Sequence, residues 1–427
     1  MHITVTGISY RSAPLAVRER LALAPDAIQR VLAQASAAGL AEAVVVATCG
    51  RTELYAASPG ERPDGAELSR LLAEASGEPL SSFESYLETR HDADAVLHLA
   101  RVAAGLDSLV LGESEILGQI GDALEAAESA GTVGMLLIKV FHAAIRAGRR
   151  ARAETKIADG AASVPAVAVR VTTRALGSLE NRAVLVLGAG AMASKAVRAL
   201  VHRGAGPVTV INRTLERAER LADRYAARAA GLEQLAEALR GADICITSTG
   251  AQQPIVTAAD LRAGDRRAER PLVIVDMAVP RDVEPEARAL PGVVYFDLDD
   301  LAARAEESVS DRRAQVPKVE AIVAEEAERA LGWLQAASVL PTIASLRGRA
   351  EAIRVAELER ALRKMPQLSP AERKALEAFS HSLVKKLLHD PTVSLKAEAG
   401  SPGAAELASA ARRRFALELA DGPGAAP

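Results

Sequence analysis

A chain of 427 residues exceeds one ordinary core and points to two or three domains of roughly 100 to 200 residues each. Half of it is apolar (49%) but only 3% is aromatic, and alanine dominates, so close-packed helices and a helix-rich α/β protein are expected rather than a β-sandwich. A net charge of −3 excludes a global pull on polyanions, and two distant cysteines, in neither a CxxC nor a Cys/His spacing, argue against a metal site or a disulfide-built secreted domain and for the reducing cytoplasm.

The first residues, MHITVTGISY, lack a basic region followed by a long apolar run, and no later segment approaches the ~20 apolar residues of a membrane span. A soluble, unprocessed protein with no membrane partner is expected. HITVTGI, AVVVAT and TELYAA read as strands, while PDAIQRVLAQASAA, DADAVLHLARVAAG and ESEILGQIGDALEAAESAG carry apolar residues at helical spacing. Residues 1–155 therefore form an α+β domain. Arg146, Arg149, Arg150 and Arg152 close its last helical stretch, either as a solvated helix end or as a patch for phosphates. ETKIADGAASVPAVAV, with Gly160 and Pro165, reads as a linker.

Within the first domain, VVVATCGRTELYAAS ends a strand on Cys49. A cysteine there is commonly a small buried hydrophobe. Gly50 and Arg51 shift the balance, because an open backbone and a nearby cation favour a thiolate nucleophile. Cys245, inside the apolar run ADICITS, lacks such neighbours and reads as structural. His98 lies on a helical stretch, where packing and proton transfer are both open roles.

From 165 to 297 strand and helix alternate through AVLVLG, ASKAVRALVHRG, PVTVIN, RTLERAERLADRYA, ADICITS, PLVIVDMA and GVVYFD, which implies a doubly wound parallel sheet. AVLVLGAGAMASKAVRAL is a dinucleotide fingerprint in its full context, a buried strand turning into a helix. Gly188 makes the turn, Gly190 lets the pyrophosphate approach, Ala193 packs helix on strand, and Ala189, Ala191 and Met192 complete the phosphate-facing turn. VINRT then places Asn212, Arg213 and Thr214 where an NAD site would carry an acid, so Arg213 suits a 2′-phosphate and NADPH is the expected cofactor.

After 297 no strand pattern remains. LAARAEESV, PKVEAIVAEEAERALGWLQAAS and IASLRGRAEAIRVAELERALRKM are amphipathic and suit a long helix followed by a helical bundle over 298–420. Pro317 should begin or kink a helix, and the tail DGPGAAP should be disordered.

ATCGRTELY resembles the nucleophile motif of the glutamyl-tRNA reductase family, and HLARVAAGLDSLVLGESEILGQI resembles its second signature. The likeness continues through RARAETKIADGAASV, LVLGAGAMA, VINRT, IVDMAVPRDVEPE and FDLDDL, and so covers nearly the whole chain. It implies an N-terminal catalytic domain, an NADPH-binding Rossmann domain, a long spinal helix and a C-terminal dimerisation domain in a V-shaped homodimer. It implies that Cys49 takes the glutamyl group from glutamyl-tRNA as a thioester, that hydride then releases glutamate 1-semialdehyde, and that His98 assists. Thr48, Gly50, Arg51, Ser108, Glu113, Ser114, Glu115 and Gln119 would line the substrate pocket. Arg51 would hold the substrate's side-chain carboxylate and Glu113 its α-ammonium. A domain swing would bring nicotinamide to the thioester, and glutamate-1-semialdehyde aminomutase is the partner that would receive the aldehyde.

Three positions depart from the family pattern: Gly50 for asparagine, Glu115 for glutamine, and Ala191 for glutamate in the dinucleotide turn. The alternatives are a diverged paralogue reducing another aminoacyl thioester, a shikimate-dehydrogenase-like NADP oxidoreductase, and a non-catalytic NADPH-binding regulator. A reactive Cys49 separates the reductases from the other two.

Overall fold

The structure is a computed structural model that describes residues 1–158, 163–262, 270–306, 310–399 and 404–417. Gly160 of the predicted linker and the tail from Asp421 lie outside the described residues. The chain divides into two compact units, His2–Ala327 and Glu328–Pro427.

The first unit opens with β1 (His2–Ser9), α1 (Leu15–Arg20), α2 (Pro25–Ala37), β2 (Glu42–Thr48), β3 (Arg51–Ser58), α3 (Gly65–Ser76), β4 (Glu88–His91), α4 (Asp92–Ala103), α5 (Glu115–Ala130) and α6 (Met135–Glu154). The strands form an antiparallel sheet in the order β2-β3-β1-β4. In β1 and β3 nearly every residue is buried, whichever way it points. Helices therefore cover both faces, and the polar residues these strands bury, among them Thr4, Thr6, Thr52 and Glu53, are hydrogen-bonded inside. β4, with sequence ETRH, is a mostly exposed edge strand and carried no such signal. The Glu42 carboxylate accepts the Leu136 and Leu137 amides at 3.1 and 2.7 Å, supplying the first turn of α6 with the acceptor that its N-cap, Gly134, lacks. Tyr55 meets Phe141 edge-on at 5.5 Å and pins α6 to the sheet.

The second half of the predicted linker is helical. Ser163 caps α7 (Val164–Leu176), Pro165 sits in its first turn, and Val164, Val167, Ala168 and Val171 bury one face. Then follow β5 (Val184–Leu187), α8 (Ala191–Val201), β6 (Val208–Ile211), α9 (Leu215–Ala222), β7 (Arg228–Ala230), α10 (Leu235–Gly241), β8 (Ile244–Thr247), α11 (Ala258–Arg262), β9 (Leu272–Asp276), β10 (Val293–Phe296), α12 (Leu298–Glu306), α13 (Ser310–Arg313) and α14 (Val316–Ser338). All six strands are parallel, in the order β10-β9-β8-β5-β6-β7. Strand order reverses between β5 and β8, the switch point of a Rossmann sheet and the place where such folds hold a ligand.

Pro317 is in the first turn of α14, so it begins a helix and does not kink one. The second unit starts within α14 and continues with α15 (Leu340–Lys364), α16 (Pro370–Leu387), α17 (His389–Ala397) and α18 (Ala404–Arg414). Val339, Ile343, Leu395 and Ala408 form its small core, and Ser369 with Glu372 closes a reciprocal cap on α16. Phe379, Leu383 and Leu387 recur every four residues along α16 and are all exposed. The class expected from composition and strand–helix alternation is the class found. Among the described residues no helix is long and apolar enough to cross a membrane.

Candidate active site

Cys49 and Gly50 are the two residues of the hairpin turn between β2 and β3, closed by the pairing of Thr48 with Arg51. Neither takes a positive φ. The turn is held from three sides: the Gly50 amide donates to Thr48 Oγ1 at 3.2 Å, the Tyr10 amide donates to the Gly50 carbonyl at 2.8 Å, and Arg18 Nη1 donates to the Cys49 carbonyl at 2.7 Å. A Cβ on Gly50 would meet Leu109 at 3.6 Å, an ordinary contact, so the backbone does not require glycine there. Cys49 is half-buried, whereas Cys245 is wholly enclosed in β8.

Burial pushes the Cys49 thiol up to about 12, helped by the carboxyl groups of Glu113 and Glu115 and opposed by the Arg18 guanidinium. This reverses the expectation that Arg51 favours a thiolate. The cation facing the sulfur is Arg18, from an element far away in sequence. Arg51 is buried in β3, where Nη1 donates to Glu53 Oε1 at 2.6 Å and Nη2 to the Asp107 carbonyl.

Glu53 ties Arg51 to His98. His98 Nε2 on α4 lies 2.9 Å from Glu53 Oε1, and the Tyr55 hydroxyl donates to Glu53 Oε2 at 2.8 Å. Burial opposes ionisation of Glu53, but Arg51, His98 and Tyr55 together outweigh it and hold the carboxyl far below the usual range. An ionised carboxylate only accepts, so Nε2 of His98 carries the hydrogen and Nδ1 is left for other work. Arg51 and His98 line one cavity of about 270 Å³ together with Ser9, Arg11, Arg90 and Asp107.

The loop before α5 contributes Ser108 and Glu113, both buried. Burial pushes the Glu113 carboxyl up to about 7, with Glu115 adding to the rise and Ser108, Arg51 and Arg152 opposing it. The Ser108 hydroxyl, although close enough to oppose that rise, completes no full hydrogen bond among the described residues. Ser114 is exposed at the start of α5 without capping it, and Gln119 is half-buried one helical turn beyond Glu115.

Glu115 is not a bare carboxylate in the pocket. Lys195 Nζ, on α8 of the parallel-sheet domain, donates to Glu115 Oε1 at 2.7 Å. A partly exposed pair of this kind contributes ~0.2–1 kcal/mol. Glu115→Gln is therefore expected to lower thermal stability only slightly. It should also move the pH profile of Cys49 alkylation downward, because one of the charges opposing the thiolate is gone. Alkylation rates across pH, read by peptide mass spectrometry, check both the direction and the assignment.

The cofactor fingerprint forms a cavity of about 640 Å³ at the switch point, lined by Gly188, Ala189, Gly190, Asn212, Arg213 and Thr214. Gly188 has φ +108°, and a Cβ there would lie 2.4 Å from the Ser248 carbonyl oxygen. A Cβ on Gly190 would meet no protein atom, so its missing side chain leaves the cavity open for a phosphate. Ala191 begins α8, Met192 follows it half-buried, and Ala193 is fully buried against the sheet. Asn212 Nδ2 donates to the Thr214 carbonyl at 2.9 Å, and Arg213 is exposed. The sequence reading missed Arg217, in the first turn of α9, and Ser248–Gly250 after β8, which line the same cavity. Spacing from Arg213 could have found Arg217, but only the sheet order brings β8 beside β5. Backbone freedom at Gly188 and open space at Gly190 fit a nicotinamide dinucleotide.

The basic cluster on α6 is largely spent within the protein. Arg146 pairs with Glu326 at 3.2 Å, and Arg150 pairs with Glu154, Glu325 and Glu326. Arg152 donates to the carbonyls of Ala103, Gly148 and Glu113. A phosphate contact through these three side chains would have to displace those bonds.

Residues 6–155 match the family Glutamyl-tRNAGlu reductase, N-terminal domain; residues 170–303 match Shikimate / quinate 5-dehydrogenase; and residues 318–417 match Glutamyl-tRNAGlu reductase, dimerisation domain. The chain is 43% identical over 427 residues to glutamyl-tRNA reductase of Rubrobacter xylanophilus, covering 99% of this chain and 98% of the relative. It is 38% identical over 427 residues to that of Bacillus subtilis, covering 99% and 93%. The solved glutamyl-tRNA reductase from Methanopyrus kandleri is 31% identical with a TM-score of 0.55, covering 97% of this chain and 99% of that one. The dehydrogenase likeness is confined to the parallel-sheet domain, whereas these relatives account for the thiol-bearing sheet and the helical C-terminus as well. A likeness that runs through all three parts, at these identities and over the full length, places the chain in the glutamyl-tRNA reductase family.

Proposed function

We propose that this chain reduces glutamyl-tRNA to glutamate 1-semialdehyde, the precursor of 5-aminolevulinate and hence of tetrapyrroles such as haem, with Cys49 as nucleophile. The observation that carries this reading is a half-buried thiol on a tightly held turn in the same compact unit as a dinucleotide cavity. Sulfur attacks the ester carbonyl; the C–S bond forms, the C–O bond to the terminal ribose breaks, and the thiol proton ends on the departing ribose oxygen. A thioester holds the acyl group after tRNA leaves and accepts hydride better than the ester did. NADPH, when bound, would supply that hydride; the C–S bond then breaks with its electron pair on sulfur, the thiolate takes up a proton, and the aldehyde leaves.

The surrounding residues take roles that suit an amino acid. Glu113 receives the α-ammonium: a carboxyl titrating near neutrality ionises when a cation arrives beside it. Arg51 takes the substrate's side-chain carboxylate in exchange for Glu53, while His98, anchored through Nε2, offers Nδ1 for proton transfer. Arg213 and Arg217, with Asn212 in place of an acid, support NADPH over NADH. The exposed stripe on α16 supports pairing with a second copy, and two cysteines joined in no disulfide suit a cytoplasmic setting in which the aldehyde passes to glutamate-1-semialdehyde aminomutase.

Incubation with glutamyl-tRNA but without NADPH is expected to leave a glutamyl group on Cys49. NADPH should then discharge it as semialdehyde, with NADH a much poorer substitute. Semialdehyde forming while Cys49 stays unmodified would overturn the covalent route.

A further inference from the structure

Arg18 is the third-last residue of α1, and its side chain is only 2% exposed. Its guanidinium reaches three acceptors at once: Nε donates to the Ala13 carbonyl at 3.3 Å, Nη1 to the Cys49 carbonyl at 2.7 Å, and Nη2 to Asp299 Oδ1. Asp299 lies at the start of α12, which packs on the parallel sheet through Leu298 and Leu301, and its other oxygen accepts the Leu15 amide at 2.9 Å. Next to Arg18, Glu19 is gripped by Arg281 from the loop after β9, through Nε, Nη2 and the backbone amide, each at 2.7 Å. One short helix is thus bonded to the nucleophile turn on one side and to two parts of the dinucleotide domain on the other.

We propose that Arg18 is the positioning residue of the nucleophile: by bridging the Cys49 carbonyl and Asp299, it fixes the direction of the sulfur relative to the dinucleotide domain. The proposal rests on Cys49 being the nucleophile. A hairpin turn leaves the carbonyl of its first residue without a ladder partner, and the bond from Nη1 limits rotation of the following peptide plane about the Cα–C bond of Cys49, and so steadies the Cα from which the thiol side chain projects. The planar fork suits the task, since two rigid donors on one side chain hold two acceptors at a set angle; an ammonium on a flexible stem cannot. The charges facing the sulfur are Arg18 from α1, Glu113 from the loop before α5 and Glu115 from α5, so Arg18 is also the counterweight to two carboxyl groups.

The test uses the full chain in three variants, Arg18→Gln, Arg18→Lys and Asp299→Asn, each normalised to folded protein by thermal unfolding. Cys49 alkylation is followed against pH, with buried Cys245 as internal control, and Cys49 acylation by glutamyl-tRNA is followed in single turnovers without NADPH. Arg18→Gln is expected to move the alkylation profile to higher pH and to slow acylation about tenfold, the loss typical of one charge-assisted hydrogen bond. Arg18→Lys should keep more of the alkylation profile yet lose acylation to a similar extent. Asp299→Asn, which frees only the far end of the fork, should act in the same direction as Arg18→Gln and less strongly. Unchanged profiles and acylation rates per folded molecule, in the Arg18 variants or, if those do not fold, in Asp299→Asn, would reduce Arg18 to a packing residue and overturn the proposal. If wild-type protein itself never acylates at Cys49, the nucleophile reading has failed instead, and the alkylation profiles still report whether Arg18 sets the thiol.

Discussion

Cys49→Ser is expected to abolish NADPH-dependent semialdehyde formation, with a loss on the order of a thousandfold or more, the scale seen when a covalent nucleophile is removed. Dinucleotide binding should be untouched, because the cavity at the switch point is lined from other elements. The wild-type thiol is not standing by as a thiolate. Burial and the facing carboxyl groups of Glu113 and Glu115 hold it at about 12, so alkylation of free enzyme should climb about tenfold per pH unit from roughly pH 7 to pH 10. Deprotonation then belongs to the moment of substrate arrival, when an ammonium beside Glu113 offsets one of those negative charges. Retained turnover in Cys49→Ser, measured on glutamyl-tRNA, would end the thioester mechanism.

The second large effect is expected at Gly188. With φ +108° and a Cβ position 2.4 Å from the Ser248 carbonyl oxygen, alanine meets both an unfavourable backbone and a wall of main chain that cannot rotate away. Gly188→Ala should destabilise the dinucleotide domain by on the order of 3 kcal/mol and remove NADPH binding with it. Gly190→Ala is the informative contrast. Its added methyl meets no protein atom, so thermal unfolding should be unchanged while NADPH affinity falls, since the methyl occupies space the phosphates need. Fluorescence titration beside a thermal melt separates the two. Normal affinity in Gly190→Ala would mean that the pyrophosphate takes another path.

The features legible in sequence were those whose signal is local. VLVL followed by Gly188 and an Ala-rich helix announces a strand–turn–helix unit, because burial on both faces of a parallel strand and helical periodicity leave different marks. β7 is three residues, RAA, and β4 is the polar edge ETRH; neither is long or apolar enough to carry a period. The site shows the same division. Cys49 could be singled out from its immediate neighbours; Glu53, two residues from Arg51 on the same face of the strand, was within reach of the same local rule, but what makes the pair compulsory is the burial of both charges, which spacing does not reveal. Arg18 bonds the Cys49 carbonyl and Lys195 the Glu115 carboxylate from 31 and 80 residues away, and no spacing rule reaches across such distances. The α6 arginines were legible as charge, yet Glu325 and Glu326, which absorb much of it, come from a helix far along the chain.

The sulfur rides on a turn of two residues, and that imposes a restriction on how lineages of this protein can diverge. Its location follows from the pairing of Thr48 with Arg51, itself the last rung of a seven-rung ladder that starts at Glu42 and Ala57. Inserting or deleting one residue along β2 would shift the turn by about 3.3 Å and invert the pleat, carrying the thiol to the opposite face of the sheet. Drift in this hairpin is thus confined to swaps of side chain, while changes of length are left to loops elsewhere.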